Sequence, residues 1–391
     1  MLKVINLPIL MLNNSPSYLI CNGDANSYIT HGGLPFNLFK EAKRQGLIDN
    51  AVSLNYKKLK YWKYAWNLIQ IIKYGKPGGF QYSEFYSRKI IKQLVNLSDG
   101  KIKILSIYPL IPAYPWSKKW AIYFYIDYTI HQIFNEYNQS NLISESFKNK
   151  VIKRERLNYL KANHIICRSK AARSSLLKDY KIDQRKISIV PGGANLDLSC
   201  INRDELYTIP TEPSSEKPII LGFIGLDWNR KGGMFLIKLA DFFKKMKVPL
   251  EIRVVGPRKN NLPNHSSLKY VGFIDKSREL DNFIQEVTSW HFGTLFSKAE
   301  AFGISNRECM LLGVPVICHD VGGISSTLPE SNFGMLFEAN PSPDKVYEWI
   351  MNILNPYSKY IFLRKKLFEN YDLFTWNHTV NYLKEILEDG N

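Results

Sequence analysis

Cysteine is scarce in this sequence, and its spacing excludes the usual cysteine-based sites. The 391 residues contain five cysteines and no C-x-x-C pair. We therefore expect neither a structural zinc site nor a disulfide framework, which is typical of a protein in a reducing cytosol. The sequence also lacks an Asp-x-Asp after a predicted strand and a His, Cys and Asp cluster with ligand spacing, so we expect no bound metal.

Long apolar runs are lacking too. No run approaches the roughly 18 residues of a membrane-spanning helix. The apolar part of residues 1–18 is short and interrupted by Asn and Pro, unlike that of a signal peptide. We therefore expect a cytoplasmic chain, whose contact with a membrane would be peripheral and at the inner face.

Excess charge is confined to one half of the chain. Residues 1–210 contain 31 Lys and Arg against 14 Asp and Glu, a net charge of +17, whereas residues 211–391 contain 21 of each. A compositional bias would raise the number of lysines in both halves alike, so it does not explain the difference in net charge. We therefore expect the first half to have a basic surface. Such a surface attracts an anionic partner: a phospholipid leaflet, a diphosphate-bearing substrate or nucleic acid.

Strands and helices alternate along most of the chain, as in residues 217–226 (KPIILGFIGL) followed by residues 232–246 (GGMFLIKLADFFKKM). This alternation and the length predict an α/β fold of two domains, whose parallel sheets face each other across a cleft. We place the boundaries as follows: a first domain at residues 1–207, a Pro-, Ser- and Thr-rich linker at 208–218, a second domain at 219–369, and a C-terminal helix at 370–391 that packs back on the first domain.

The segment KAEAFGISNRECMLLGVPV (residues 298–316) places two acids around a glycine loop at the start of a predicted helix. A helix that begins near Asn306 leaves free backbone N–H groups just before it, which suit a pyrophosphate. These groups belong to Gly303, Ile304, Ser305 and Asn306. Glu308 would then face a ribose and Glu300 the opposite end of a nucleotide diphosphate sugar. The alternative is that Glu300 is a solvated loop acid, and that Glu308 is an acid in the first turns of the helix that interacts favourably with the helix dipole.

The same segment resembles the E-x7-E signature of retaining glycosyltransferases of family 4, which have a GT-B fold of two Rossmann-like domains. The matching positions are Glu300, Phe302, Gly303, Glu308, Gly313, Pro315 and Val316. Further segments resemble family segments in the same order: residues 189–197 (IVPGGANLD), 225–233 (GLDWNRKGG), 253–257 (RVVGP) and 319–324 (HDVGGI).

The resemblance implies a role for each of these positions. Glu300 would contact the donor sugar and Glu308 would hold the ribose. Phe302 and the backbone of residues 303–305 would surround the pyrophosphate. Lys231, with Arg230 beside it, would neutralise the leaving diphosphate. The sequence departs from the family at Leu226 and Asp227, where the family usually has an arginine.

The first domain offers two further candidates. The segment THGGLPFNLF resembles the glycine loop of the family, so that Gly32 and Gly33 would let the backbone approach donor or acceptor. Asp127 is the last residue of the predicted strand WAIYFYID, where it would orient the acceptor hydroxyl or take its proton. It would equally serve as the N-cap of the next helix. His131 is expected to be a packing or surface residue.

Residues 55–76 (NYKKLKYWKYAWNLIQIIKYGK) combine lysines and aromatic residues with an apolar stripe at helical spacing. The stripe consists of Leu59, Trp62, Trp66 and Ile69. One interpretation is a helix in a membrane interface; the other is a core-facing helix with solvated lysines. The acceptor for such a surface would be a lipid, a polyprenyl-diphosphate-linked sugar or an acidic glycan.

The predicted function is therefore transfer of a sugar from a UDP- or GDP-linked donor to a hydroxyl of a glycan or lipid-linked acceptor, with retention of anomeric configuration. The setting would be polysaccharide or glycoconjugate biosynthesis. The resemblance implies no cofactor or metal besides the nucleotide sugar. The alternatives are a nucleic-acid-binding protein, although no recognition motif is present and no nucleic acid is expected, or a GT-B phosphorylase or epimerase.

Overall fold

The structure of the chain, a computed structural model, describes residues 15–54, 59–91, 100–136, 140–199, 201–329 and 333–389. Within these residues, strands form two six-stranded sheets. The first contains β1 (Ser17–Asn22), β2 (Asn50–Leu54), β3 (Ile102–Ser106), β4 (Trp120–Ile126), β5 (His164–Cys167) and β6 (Ile187–Ile189). The second contains β7 (Ile219–Ile224), β8 (Leu250–Val255), β9 (Leu268–Gly272), β10 (Phe292–Leu295), β11 (Val316–His319) and β12 (Gly334–Phe337).

Helices connect the strands and cover both sheets. In the first half they are α1 (Leu34–Arg44), α2 (Lys60–Tyr74), α3 (Glu84–Ile91), α4 (Ile130–Glu136), α5 (Glu145–Lys161) and α6 (Lys170–Lys178). In the second half they are α7 (Gly233–Lys245), α8 (Leu280–Thr288), α9 (Ile304–Leu311), α10 (Pro343–Leu354), α11 (Tyr357–Glu369) and α12 (Trp376–Asp389).

Both sheets are parallel, and the order of their strands reverses at one point in each. The first runs β2-β1-β3-β4-β5-β6 and the second β12-β11-β10-β7-β8-β9. Strands buried on both faces read as continuous apolar runs, and the last five residues of β4, Ile122 to Ile126, are all buried. The predicted α/β class with two parallel sheets is confirmed. Ligands of such sheets bind beyond the carboxyl ends of strands at the reversal, which lies between β10 and β7 in the second sheet.

The last helix, α12, packs against the first domain. Its apolar side chains, among them Val380 and Leu383, share a buried cluster with Leu34 and Leu38 of α1. The hydroxyl of Thr379 donates to the carbonyl of Pro191, 2.9 Å away. The chain thus crosses back from the second sheet to the first, while the residue numbers of the predicted domain boundaries stay a prediction.

Candidate active site

The loop between β10 and α9 forms a close turn at the carboxyl edge of the second sheet. Helix α9 begins at Ile304, two residues before the expected start near Asn306. Gly303 precedes it with φ of +97° and gives the helix no side-chain cap. A Cβ on Gly323 would lie 1.9 Å from the carbonyl oxygen of Ala301, so the glycine turn after β11 packs directly on this loop. The first amides of α9 therefore lie at an edge where the backbone can approach a ligand closely.

Glu300 lies between two cations. Its Oε2 is 3.4 Å from Nη1 of Arg230 and 3.5 Å from Nζ of Lys231, and the hydroxyl of Ser297 donates to the same oxygen at 3.2 Å. Only 13% of the Glu300 side chain is exposed. The structure thus brings together three of the predicted residues in one cluster with more positive than negative charge.

Close packing holds the two cations in place. A Cβ on Gly225 would lie 2.2 Å from Cδ of Lys231, so the lysine stem lies directly over that glycine. Gly232 has φ of +82°, and a Cβ added to it would lie 2.0 Å from the carbonyl oxygen of Phe296. Arg230 Nη1 donates to the carbonyl of Ala299 at 2.8 Å. The turn before α7 is therefore pressed against the loop after β10.

Leu226 and Asp227, which depart from the family pattern, supply no cation to this cluster. Leu226 is exposed. Asp227 instead accepts the backbone N–H of Arg230 at 2.9 Å and stabilises the turn. Arg230 is the arginine that reaches the cluster in this chain.

Glu308 is buried in the second turn of α9, with 1% of its side chain exposed. Its Oε1 accepts a hydrogen bond from Nζ of Lys276. Its Oε2 is buried without a partner in the part of the chain that the structure describes. A buried carboxylate oxygen without a donor costs free energy, which a ligand hydroxyl would recover. The carboxylate therefore suits a ribose hydroxyl.

Lys276 was missed in the sequence. It follows β9 and stands 32 residues before Glu308, with its ammonium also 5.4 Å from the ring centroid of Phe283. One available signal was the position of Lys276 after a strand of the second sheet, where ligand-binding residues gather.

Ser305 and Phe302 are both buried, in different surroundings. The hydroxyl of Ser305 has no partner among the described residues. The ring of Phe302 lies under the guanidinium of Arg168, with Cζ 4.2 Å from the ring centroid. Phe302 thus faces a side chain of the first domain, and its contribution to a donor site would be to shape the loop.

The glycine loop of the first domain reaches the segment that leads into the second. Gly32 has φ of +66° and Gly33 of +89°, and Gly33 precedes α1. Asn195 Nδ2 donates to the carbonyl of Gly32 at 2.7 Å. The hydroxyl of Tyr28, just before this loop, donates to the carbonyl of Asn195. Burial, and next the charge of Glu308, raise the pKa of Tyr28. The two hydrogen bonds with Asn195 therefore hold this loop against the segment that leads towards the second domain.

Asp127 is paired with an arginine and does not cap a helix. Its Oδ1 is 2.6 Å from Nη1 of Arg168, whose side chain is almost fully buried. The interpretation of Asp127 as an N-cap is wrong, because Thr129 takes that place: Gln132 N donates to Thr129 Oγ1 at 3.3 Å. Asp127 lines a cavity of about 210 Å³ beyond the carboxyl end of β4. Tyr128, beside Asp127, lines the same cavity, and burial, followed by the charge of Asp127, raises its pKa.

Helix α2 turns part of the predicted apolar stripe inward. Leu59 and Trp66 pack against the core of the first domain, whereas Trp62 and Ile69 are about half exposed. A second stripe, which was not predicted, faces outward and consists of Tyr61, Ala65, Leu68 and Ile72. Residues 55–58 of the predicted helix, with Lys57 and Lys58, lie outside the described residues. His131 is a surface residue, 3.2 Å from Asp179 Oδ2.

Among the described residues, no group of three or more His, Cys, Asp or Glu side chains is arranged to hold a metal ion. None of the helices in those ranges is both long and apolar enough to cross a membrane.

Residues 208–367 match the model of the family described as "Glycosyl transferases group 1". The matched segment covers 160 of the 391 residues. It contains Arg230, Lys231, Lys276, Glu300 and Glu308, so every residue of the second-domain site lies within it.

Relatives and solved structures extend the comparison. The chain is 21% identical over 252 residues to the D-inositol 3-phosphate glycosyltransferase of Corynebacterium kroppenstedtii; the alignment covers 59% of this chain and 54% of that protein. The chain thus spans about half the length of this relative. A glycosyltransferase of Rickettsia africae superposes with a TM-score of 0.64 at 16% identity, over 96% of this chain and 99% of the other. Anabaena HepE in complex with UDP-glucose superposes with a TM-score of 0.61 at 13% identity, over 95% of this chain and 99% of the other.

These superpositions extend over both domains and show the fold. The chain has the GT-B fold, and the segment that matches the group 1 model contains the second sheet. The predicted fold is confirmed in this respect too, whereas membership of family 4 stays a prediction.

Proposed function

We propose that the chain transfers a sugar from a nucleotide diphosphate sugar to an acceptor hydroxyl, with retention at the anomeric carbon. The donor lies in the second domain, with UDP the first candidate and GDP the second. The observation that carries this proposal is the buried Glu308, whose Oε2 has no partner in the described structure and lies near the start of α9. A ribose would supply hydroxyl donors to this oxygen, and the pyrophosphate would accept the first amides of the helix.

The charge cluster around Glu300 suits the departure of a diphosphate. As the bond from the sugar to the diphosphate breaks, negative charge grows on the leaving oxygen. Lys231 and Arg230 are held by packing within reach of such a group, so little reorganisation is needed at the moment of reaction. Glu300 keeps both cations in position and would accept hydrogen bonds from the donor sugar. Retention rests on the likeness to the E-x7-E signature.

The acceptor hydroxyl would enter from the first domain. Asp127 lines the cavity at the end of β4, and Arg168 keeps its carboxylate paired and oriented. Asp127 then orients the hydroxyl, while the oxygen of the leaving diphosphate would take the proton. We propose a glycan or lipid-linked acceptor in polysaccharide or glycoconjugate biosynthesis, with the basic first domain at the inner face of a membrane. No resident cofactor or metal is part of this proposal.

A thermal-shift screen with UDP, GDP, ADP and their sugars tests donor binding. At a concentration of about 100 Kd, a ligand that binds only the folded state adds about 2.7 kcal/mol to its stability. We expect UDP or GDP to raise the midpoint more than ADP. Equal midpoints with every nucleotide would contradict the proposed donor site.

Product analysis tests the reaction itself. Release of nucleoside diphosphate that depends on acceptor would distinguish a transferase from an epimerase, and NMR of the glycosidic bond would test retention. An inverted anomeric configuration would contradict the proposed mechanism. Stronger binding to random DNA than to any nucleotide sugar, falling steeply with salt, would favour a nucleic-acid-binding protein instead.

A further inference from the structure

The two carboxylate oxygens of Glu308 have different surroundings. Its Oε1 accepts a hydrogen bond from Nζ of Lys276, and the side chains of the two residues are 1% and 19% exposed. Its Oε2 is buried and has no partner among the described residues. Within the described ranges, Lys276 is the one residue that forms an ion pair with this carboxylate. A single lysine therefore decides which of the two oxygens is left for a ligand.

A buried aromatic ring holds the ammonium of Lys276 from a second side. Its Nζ lies 5.4 Å from the ring centroid of Phe283, which belongs to α8 and is 1% exposed. A cation within about 6 Å of a ring centroid is attracted by the ring. Phe283 shares a buried cluster with Cys309 and Met310, the two residues that follow Glu308 on α9. The ammonium is thus fixed between α8 and α9.

A second unpartnered oxygen lies on the same face of α9. Ser305 stands three residues before Glu308, and residues at this spacing are neighbours on the surface of a helix. The hydroxyl of Ser305 is buried and, like Oε2 of Glu308, has no partner in the described structure. Buried polar oxygens are normally satisfied. Two such neighbours indicate that this face of α9 meets a ligand with hydroxyl groups.

The charge of Lys276 compensates the buried carboxylate without using the oxygen that a ligand would approach. Removing a carboxylate from water is costly unless a cation or hydrogen-bond donors replace the water. Lys276 supplies both at Oε1. A hydroxyl at Oε2 would complete the set, and hydrogen bonds to charged groups are stronger than those between neutral groups.

We propose that Lys276 is a positioning residue that holds Oε1 of Glu308, aims Oε2 at the ribose of the donor and makes the site select nucleotides with an intact ribose diol. This inference rests on the proposed function, in which the nucleotide lies at the start of α9. Lys276 acts through the carboxylate, so it affects recognition of the ribose and not of the diphosphate. A site that binds a hydroxyl rejects an analogue without it, because the buried acceptor is then left unpaired.

Calorimetric titration with UDP and with 2′,3′-dideoxyuridine diphosphate tests this role, because the second nucleotide lacks both ribose hydroxyls. The guanosine pair takes their place if GDP gives the larger thermal shift. The wild type should bind the ribonucleotide about tenfold more tightly or better. Lys276→Met should bind both nucleotides with equal affinity. Lys276→Arg keeps a cation with hydrogen-bond donors and should retain most of the preference.

Two further variants serve as controls. Lys269→Met removes a lysine at the amino end of β9, where it lies 3.9 Å from Glu251, and should bind both nucleotides like the wild type. Lys276→Met also leaves a buried carboxylate without its cation, which lowers stability. The double variant Lys276→Met, Glu308→Leu removes both charges, so it should recover the thermal midpoint and still bind the two nucleotides equally.

The outcomes distinguish this inference from the proposed function. An affinity ratio that is the same in Lys276→Met and the wild type would overturn the role of Lys276 and leave the donor site standing. This holds even if both nucleotides bind more weakly, because an equal loss is what a purely structural lysine would give. Retained preference in the double variant would also overturn the inference. A wild type that binds neither UDP nor GDP would contradict the proposed function itself.

Discussion

Arg168, at the end of β5 in the first domain, stacks on the ring of Phe302 in the second, with Cζ 4.2 Å from the ring centroid. The same guanidinium is 2.6 Å from Oδ1 of Asp127, and its Nε and Nη2 have no partner among the described residues. One buried cation therefore joins the loop after β10 in the second domain to the carboxylate of Asp127 in the first.

This contact should couple the stability of the two domains. A cation–π pair removed from solvent is worth about 1–2 kcal/mol. A double-mutant cycle of Arg168→Met and Phe302→Leu, measured by urea unfolding, should show a coupling energy of that size. Arg156→Met with Phe302→Leu is the control, because Arg156 bonds to Tyr180 within the first domain. Additive effects in the Arg168 cycle would contradict the coupling.

Glu308→Ala should weaken donor use more than tenfold, which corresponds to about 1.4 kcal/mol or more. The substitution removes the proposed acceptor for ribose hydroxyls and leaves the partly buried Lys276 without its anion. The measurement is kcat/KM for the donor, together with the midpoint shift caused by UDP. Glu251→Ala serves as the control, since Glu251 pairs with Arg253 near the start of β8, away from the carboxyl edge. Unchanged donor kinetics in Glu308→Ala would argue strongly against this site.

Lys231→Ala should also reduce donor use more than tenfold, or about 1.4 kcal/mol, because it removes a cation that stabilises charge on the leaving diphosphate. An interaction made mainly in the transition state affects kcat more than KM. Lys231→Arg keeps the charge and should restore part of kcat. If Lys231→Ala raised only KM, the lysine would bind the donor without assisting its departure.

Local patterns predicted the two sheets and the glycine turn before α9, because both depend on short-range order. The roles of Arg230 and Lys231 were predicted only from the resemblance to the E-x7-E family. Lys276 and Arg168 were missed because each meets its partner only after distant segments fold together. Arg168 belongs to the other domain and is 134 residues from Phe302 in the chain.

Helix α2 shows a second limit of periodicity. Apolar residues occupy both of its faces, so the spacing of Leu59, Trp62 and Trp66 indicates a stripe but leaves open which face is buried. Packing against Phe80 and Phe147 selects the face with Trp66 as the inner one. The outward stripe can therefore be identified only from the structure, where its side chains are exposed.

Glu155 should make the stability of the first domain depend on pH. Burial raises the pKa of its carboxyl group from 4.5 to about 7, although hydrogen bonds from Tyr180, Tyr159 and the Ile130 amide lower it. Between these values the folded protein holds a proton that the unfolded chain has lost. Stability therefore falls as pH rises through this window, by about 3 kcal/mol in total.

Glu155→Gln should remove that decline, since an amide does not titrate. Urea unfolding of both proteins from about pH 4.5 to about pH 7 gives the difference in free energy of unfolding at each pH. His291, whose pKa is lowered by burial to about 4, contributes a slope of opposite sign but is common to both proteins and cancels. Parallel curves for variant and wild type would show that Glu155 does not titrate in this range.

Two glycines at the ends of α9 allow the effect of backbone strain to be distinguished from an effect on ligand binding. The variants to compare are Gly303→Ala and Gly313→Ala. Both glycines have positive φ, +97° and +70°, so an alanine at either position costs roughly 1–2 kcal/mol of stability. A Cβ at Gly313 would meet nothing within 4 Å, and one at Gly303 would lie 2.8 Å from Cδ2 of Leu295. The thermal midpoint should therefore fall in both variants. Only Gly303→Ala should also lose the shift caused by UDP, because its methyl group and the strained turn displace the amides proposed to bind the pyrophosphate. Equal UDP shifts in the two variants would show that the nucleotide does not contact the start of α9.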